Sequence, residues 1–508
     1  MANKITQAPP PPQQDQPDPS VTLQKFVGLK NTVLPERLGP DELAVAINVD
    51  LDDVGQLRRR HGFNRRLTGD WGGLFESDDG QVFGVNAGNL VRVNPDYSVD
   101  VLAGGFTTPA PKMAWVQVGP MIYFSSPGKS GKIDLANLAV VPWQGPNLGA
   151  PTPAGLTAPT DGWWYSPVVN PTYGLPAIRG KILGPPPVAS ILAYFNGRIY
   201  MAAGRTVWFT ELYLYDYVDK TKNVWNFEAD VTMIGPVGDG MYVGTTEGVW
   251  FIDKQWRMEA QSLAAKRVRV LDFGVIPGSM VYVPAELANP PQVGLEQDTP
   301  AKVSILFLTQ AGYCGGQDSG VCFNYSENKF IFPNITTAAA LFRHHQDGIN
   351  QFVAVTDGGT WAINTRTGAI TEYQNFDFNS FAPMGTTFLA ADGTGLWELA
   401  GALDDAAQIV ADIKSGLMEL GGSHFTSFKA AYLAMRIEDN SRDVLLKLVT
   451  GDGIEYIYEV RPLDMRTKRV NLGKGLRSRW FSWELIVPGY DFDFSAIEFI
   501  PITTQRRV

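Results

Sequence analysis

Four histidines (His61, His344, His345 and His424), two cysteines (Cys314 and Cys322) and an acidic tip at Asp50, Asp52 and Asp53 are the residues best suited to catalysis or metal binding. A structural zinc site needs four nitrogen or sulfur ligands. Two cysteines supply half of these, and His344-His345 lies too far along to complete a familiar spacing. The cysteines allow either a local disulfide or two idle thiols. A calcium loop needs alternating oxygen ligands closed by a glutamate, and the stretch from Asp50 to Gly55 completes neither. A hairpin whose acidic turn faces its own Arg58, Arg59 and Arg60 accounts for the same residues without a metal. No His-Glu-x-x-His helix, Gly-x-Ser-x-Gly elbow or phosphate-cradling glycine loop is present. The expectation is no catalytic residue, no metal and no cofactor.

What the chain does carry is a recurring phrase: an aromatic-bearing strand, a turn, then a second strand with tryptophan. It reads Gly197-Arg-Ile-Tyr200 with Thr206-Val-Trp208, Gly240-Met-Tyr242 with Gly248-Val-Trp250, and Thr387-Phe388 with Gly395-Leu-Trp397. Weaker copies lie at Phe83, Tyr123, Tyr282 and Phe352 with Trp361. Tyr200, Tyr242 and Tyr282 are 42 and 40 residues apart, as are Phe83 and Tyr123 at 40. A period near 40 residues built of short strands is the mark of a β-propeller. The copies give six or seven blades, with six favoured because gaps blur one copy. Propeller glycosidases need paired carboxylates, which the sequence cannot place across blades, and the Ser-x-Asp-x-Gly-x-x-x-Trp repeat of sialidase propellers is absent.

The 508 residues include 52 glycines and 35 prolines, with 44% hydrophobic and 19% charged side chains, a profile of short strands and many turns. Net charge of -10 argues against a general grip on nucleic acid. No apolar run reaches membrane-spanning length, and the N-terminus lacks a secretion-signal core. The chain divides into a Pro/Gln-rich extended arm (1–20), an N-terminal β-hairpin region (21–70), the propeller (71–400) with insertions near 144–187 and 284–320, and a C-terminal antiparallel β-sandwich (401–508). The arm is either a mobile tail or a strap held by a neighbouring subunit. Alternation at Tyr432–Ile437, Val444–Val449, Glu455–Val460 and Trp480–Val487 supplies the sandwich strands.

Two surface features stand out. Arg461, Arg466, Lys468, Arg469, Lys474, Arg477 and Arg479 form a basic run broken by one acid, Asp464. It is either a solvated edge or a mate for an acidic neighbour. Trp163, Trp164 and Tyr165, in the first insertion, are either a partner-contact patch or a loop folded onto its own propeller.

Two stretches resemble a family. The first runs from Phe26-Val-Gly-Leu-Lys-Asn31 through Asn48-Val-Asp-Leu-Asp-Asp-Val-Gly-Gln-Leu-Arg-Arg-Arg-His-Gly62. The second runs from Leu472-Gly-Lys-Gly-Leu-Arg-Ser-Arg-Trp480 through Asp491-Phe-Asp-Phe-Ser-Ala-Ile-Glu498 to Arg506-Arg507. Both are similar to virion proteins of tailed bacteriophages, in particular the nozzle or hub proteins of short tails (tail tubular protein B-like). His61 stands where the family often has proline. The resemblance implies a non-enzymatic structural protein that forms a homo-oligomeric ring, usually a hexamer, below the portal and adaptor rings. Such a ring carries fibres or spikes and lines the exit channel for genomic DNA, which an acidic lumen lets pass without specific binding. It implies a place in the virion tail after assembly in the host cytoplasm. Under this reading the basic run, the aromatic triplet and Arg58, Arg59 and Arg60 are the interface candidates. The alternative is a receptor-binding or tail-tip module contacting a host-surface glycan.

Overall fold

The computed structural model describes residues 20–145, 164–166, 181–253, 267–288, 303–344, 349–419, 424–437, 444–461, 467–473 and 475–507. Among them the only helical elements are three short 3-10 turns, and the fold is all-β. Residues 1–19 of the Pro/Gln-rich arm fall outside this set.

Small antiparallel sheets follow one another along the chain in a propeller-like series. Six are separate four-stranded sheets: 71–103, 114–142, 191–226, 231–271, 281–324, and 380–398 completed by Asn64–Thr68. A further four-stranded run, 338–373, opens an eleven-stranded sheet. The recurring phrase maps onto the second and third strands of these units. Trp208 stands opposite Met201, Trp250 opposite Val243, Trp361 opposite Ala354 and Trp397 opposite Ala390. Each first aromatic (Phe83, Tyr123, Tyr200, Tyr242, Phe352) is buried. Alternation in these strands sends one face to each neighbouring sheet, so both faces are covered.

Packing runs from each sheet to the next. Phe83 and Leu90 meet Ile122 and Phe124; Val116 and Tyr123 meet Leu192 and Ile199; Tyr200 and Val207 meet Ile234 and Val243. Tyr242 and Val249 meet Ile305 and Phe307; Leu306 and Tyr313 meet Phe352; Leu341 and Val353 meet Ala390 and Trp397. The last sheet then returns to the first, with Leu389 and Leu396 against Trp71 and Val82.

Three expectations change. The stretch 284–320 is not wholly an insertion, because Val303–Thr309 and Gly312–Gln317 are the second and third strands of their sheet. Tyr282, counted among the repeats, lies instead in the first strand and is exposed. Asn64–Thr68, grouped with the N-terminal region, is the fourth strand of the last small sheet, pairing with Gly395–Glu398.

The remaining strands of both chain ends share two larger sheets. One holds Val21–Gln24, Val49–Leu51, Leu57–Arg59, His424–Ile437, Thr467–Asn471, Arg477–Ser478 and Phe492–Arg507. The other holds Glu42–Ile47, Val410–Ser415, Trp480–Pro488, Val444–Thr450 and Glu455–Val460, with Gly28–Leu29 and Met418–Glu419 alongside, and continues into Ile370–Tyr373. Their inner faces meet through aromatics. Phe428 of the first packs on Phe481 of the second at 4.6 Å between ring centroids, and Phe494 on Trp483 at 5.9 Å. Gly28 adopts φ +90°, and a Cβ there would lie 2.6 Å from the Ile370 nitrogen, so only glycine brings the first chain segment this close to the 338–373 unit.

Candidate functional site

The hairpin of Val49–Leu51 and Leu57–Arg59 brings Asp50 opposite Arg58 in register, yet its charged groups bond elsewhere. Arg60 is fully buried and grips Asp404 with two hydrogen bonds, at 2.8 and 2.6 Å, while donating also to the Gln374 carbonyl and to Asn48 Oδ1. Asp50 accepts from Gln351 Nε2 at 2.8 Å and from the Tyr373 hydroxyl, which in turn accepts from Arg343 at 2.7 Å. Burial pushes the Tyr373 phenol up, so it remains a donor. Asp53 pairs with Arg366 at 3.1 Å and accepts from Asn364. Asp52 accepts from the Val54 and Gln56 amides, closing its own turn.

This corrects the hairpin's expected self-pairing. Its acids reach the 338–373 unit, and its arginines reach C-terminal segments. Arg58 pairs with Asp493 at 2.9 Å, and Arg59 donates to the Ala402 carbonyl. Arg59 and Arg60 are buried, so they are not surface interface residues. Buried guanidinium groups survive only when paired, and the arrangement is that of a structural junction.

Of the basic run, Arg466 and Lys474 lie outside the described residues. Lys468 and Arg469 sit on Thr467–Asn471, the edge strand of the first large sheet. Arg477 pairs in register with Ser427. Arg479 is bound to Glu419 at 2.7 Å and lies over the Trp480 ring. Arg461, Arg469 and Arg477 are exposed. A groove of about 570 Å³ runs between Thr467–Asn471 and Glu455–Val460, the edge strand of the other sheet, with Ile457 61% exposed beside it. Of the run, Lys468 and Arg469 line this groove, while Arg477 and Arg479 contact Ser427 and Glu419 elsewhere on the two sheets.

Trp163 falls outside the described residues. The strand Trp164–Ser166 pairs with Lys181–Gly184, which pairs with Val218–Asp219, so the aromatic motif's backbone is tied to the 191–226 unit. Exposed Tyr213, Leu212 and Tyr194 lie on that same unit.

Sequence reasoning missed a cavity of about 740 Å³ where the small sheets converge. Every one of the seven four-stranded units, or the linker leading into it, contributes to its wall, from Gly73 and Met113 round to Ala338 and Phe381. Lys112 is the one charged lining residue. Lys112 is exposed, its ammonium donates to Thr337 Oγ1, and partial desolvation pushes its pKa down against the opposing pull of Asp357. Runs of small residues at strand starts, such as Ala338-Ala339-Ala340, were the available signal. Among the described residues no group of three His, Cys, Asp or Glu side chains is placed to hold a metal, and no helix is long and apolar enough to cross a membrane. Cys314 and Cys322 are unbonded thiols, each pushed up to about 12 by burial.

No family model and no curated protein matches the chain. Among solved structures it is similar to the extracellular domain of a putative hybrid two component system from B. thetaiotaomicron, at 9% identity and TM-score 0.39, covering 90% of this chain and 61% of that one. It is similar also to the extracellular domain of a putative one component system from the same organism, at 9% identity and TM-score 0.37, over 81% of this chain. The chain spans about half (48%) of that domain's length. A streptogramin B lyase matches at 12% identity and TM-score 0.37, over 66% of this chain and 97% of the lyase. Likenesses this weak carry no functional information.

Proposed function

We propose that the chain is a structural subunit of a short bacteriophage tail, a nozzle or hub that assembles as a ring around the DNA exit path. In this reading the small sheets are seven blades of a closed propeller, sealed by Asn64–Thr68, and the two large sheets are a β-sandwich platform shared by both chain ends. One observation carries it: the two stretches that resemble virion proteins, more than 400 positions apart, pair directly. Leu57 stands opposite Phe494 and Arg58 opposite Asp493, with the Arg58–Asp493 ion pair at 2.9 Å. Two stretches divided between the chain ends but joined in space form one shared platform, which supports an assembly role.

The mechanics agree. The 338–373 unit and the platform share one continuous sheet, through Ile47 opposite Glu372, and are locked by Asp50 with Gln351 and Asp53 with Arg366. A subunit so coupled transmits force without bending. Identical copies close a ring by head-to-tail contacts, and the exposed arginines at the platform seam are suited to an acidic neighbour in a protein of net charge -10. Portal or adaptor rings and fibres or spikes are the partners in this account, and DNA passes the bore unbound. Mass spectrometry of purified tailed virions encoding this chain tests it. The chain present in several copies per particle supports the reading, and its absence from the particle refutes it.

A further inference from the structure

We propose that the cavity at the hub of the small sheets binds a small acidic sugar, with Lys112 holding its carboxylate. The site is independent of the tail reading and fails or stands separately from it. A volume of about 740 Å³ falls in the range of about 300–1,000 Å³ common to ligand sites, and accommodates a mono- or disaccharide. The walls are kept open by small residues. Ala110, Ala203, Gly204 and Ala338 line space that leucine or phenylalanine would otherwise fill. At Gly278, φ is +83° and a Cβ would lie 2.2 Å from the Ala338 carbonyl oxygen, so two linkers touch there without narrowing the hub further.

The lining chemistry selects the ligand. Lys112 leaves the segment before strand Ala114–Val118 and reaches Thr337, just before Ala338–His344, so its ammonium extends from one wall of the cavity to another. Among the described residues Thr337 Oγ1 is its one hydrogen-bond partner, which leaves ammonium protons for an anion. Asp357, the nearby acid, is occupied by Thr336 and Thr337, accepting from both amides and the Thr336 hydroxyl. Lys112 is itself exposed, so a carboxylate entering the cavity reaches its ammonium directly. Phe381, half-buried, adds an apolar aromatic residue to the same wall. Ser190, Ser380 and Asn379 bring polar groups to the same lining. Thr232 also lines it, and its hydroxyl is buried without a protein partner among the described residues, a cost that a hydrogen-bonding ligand relieves.

Isothermal titration calorimetry of the full chain at neutral pH, with glucuronate as probe and glucose as its uncharged counterpart, tests this. Saturable glucuronate binding is expected, with glucose at least about tenfold weaker. Lys112→Met, which keeps the aliphatic stem, should weaken glucuronate at least about tenfold, and Lys112→Arg should restore most of it. Circular dichroism melts of both variants should match the parent. No saturable heat up to about 10 mM probe, equal affinity for glucose, or undiminished binding by a folded Lys112→Met variant would overturn the proposal.

Discussion

Arg60 and Asp404, 344 positions apart, form a two-pronged ion pair sealed inside the molecule, with side chains 0% and 5% exposed. It joins the N-terminal hairpin to the segment that follows the last small sheet. Removing one partner strands the other charge, so Arg60→Ala or Asp404→Ala should each destabilise by about 3–5 kcal/mol in denaturant unfolding. Arg60→Met with Asp404→Leu together should cost less than either alone. Single variants with parental stability would show that the pair is dispensable.

The series of small sheets closes through Asn64–Thr68. Leu67, paired with Leu396, packs against the cluster that joins the last sheet to the first. Proline there removes a backbone donor and fixes the local φ, which a strand paired on one side absorbs poorly when that donor faces its partner. Leu67→Pro should melt far below Leu67→Ala, and limited proteolysis should open the chain near residue 70. Equal melting of the two variants would contradict a sealing role.

Both thiols are held near 12 by burial. At pH 8 the reactive thiolate is then on the order of one part in ten thousand. A disulfide-exchange reagent should label the native chain at least about a hundredfold more slowly than the denatured chain, which should yield two thiols. Fast stoichiometric labelling of the native protein would show that the outer strands of the 281–324 sheet open.

Burial, joined by the neighbouring Glu484, holds the Asp412 carboxyl above its ordinary range, with Lys414 and Lys447 opposing. Its Oδ1 has no hydrogen-bond partner among the described residues. A carboxyl that binds its proton more tightly when folded contributes stability at low pH that is lost as pH rises through the folded-state value. Asp412→Asn should therefore melt higher than the parent at pH 7, and the advantage should shrink on acidification below the ordinary carboxylate range. A lower melting point at pH 7 would reverse the sign.

The sequence made the repeating sheets legible because a local phrase, aromatic then tryptophan across one hairpin, recurs in four of the seven units. Trp208, Trp250, Trp361 and Trp397 all occupy the same strand position. The phrase failed where the chain detours: Val303–Thr309 follows a long segment that shifts it out of period, and Tyr282 took its place. The sealing strand Asn64–Thr68 carries no local mark, since its partner is more than 300 residues away. The same distance hid the bonds of Arg58 to Asp493, Arg59 to the Ala402 carbonyl and Arg60 to Asp404. The cavity is lined by single small residues from every unit, and no one stretch announces it.

Single-particle electron microscopy of the purified chain, at about 10 µM and with its tail partners, bears most directly on the central proposal. The account predicts closed rings around an open bore, with subunits meeting through the platform seam that carries Lys468 and Arg469, and Lys468→Glu with Arg469→Glu dispersing them. Particles that remain single propellers, with or without partners, would contradict it.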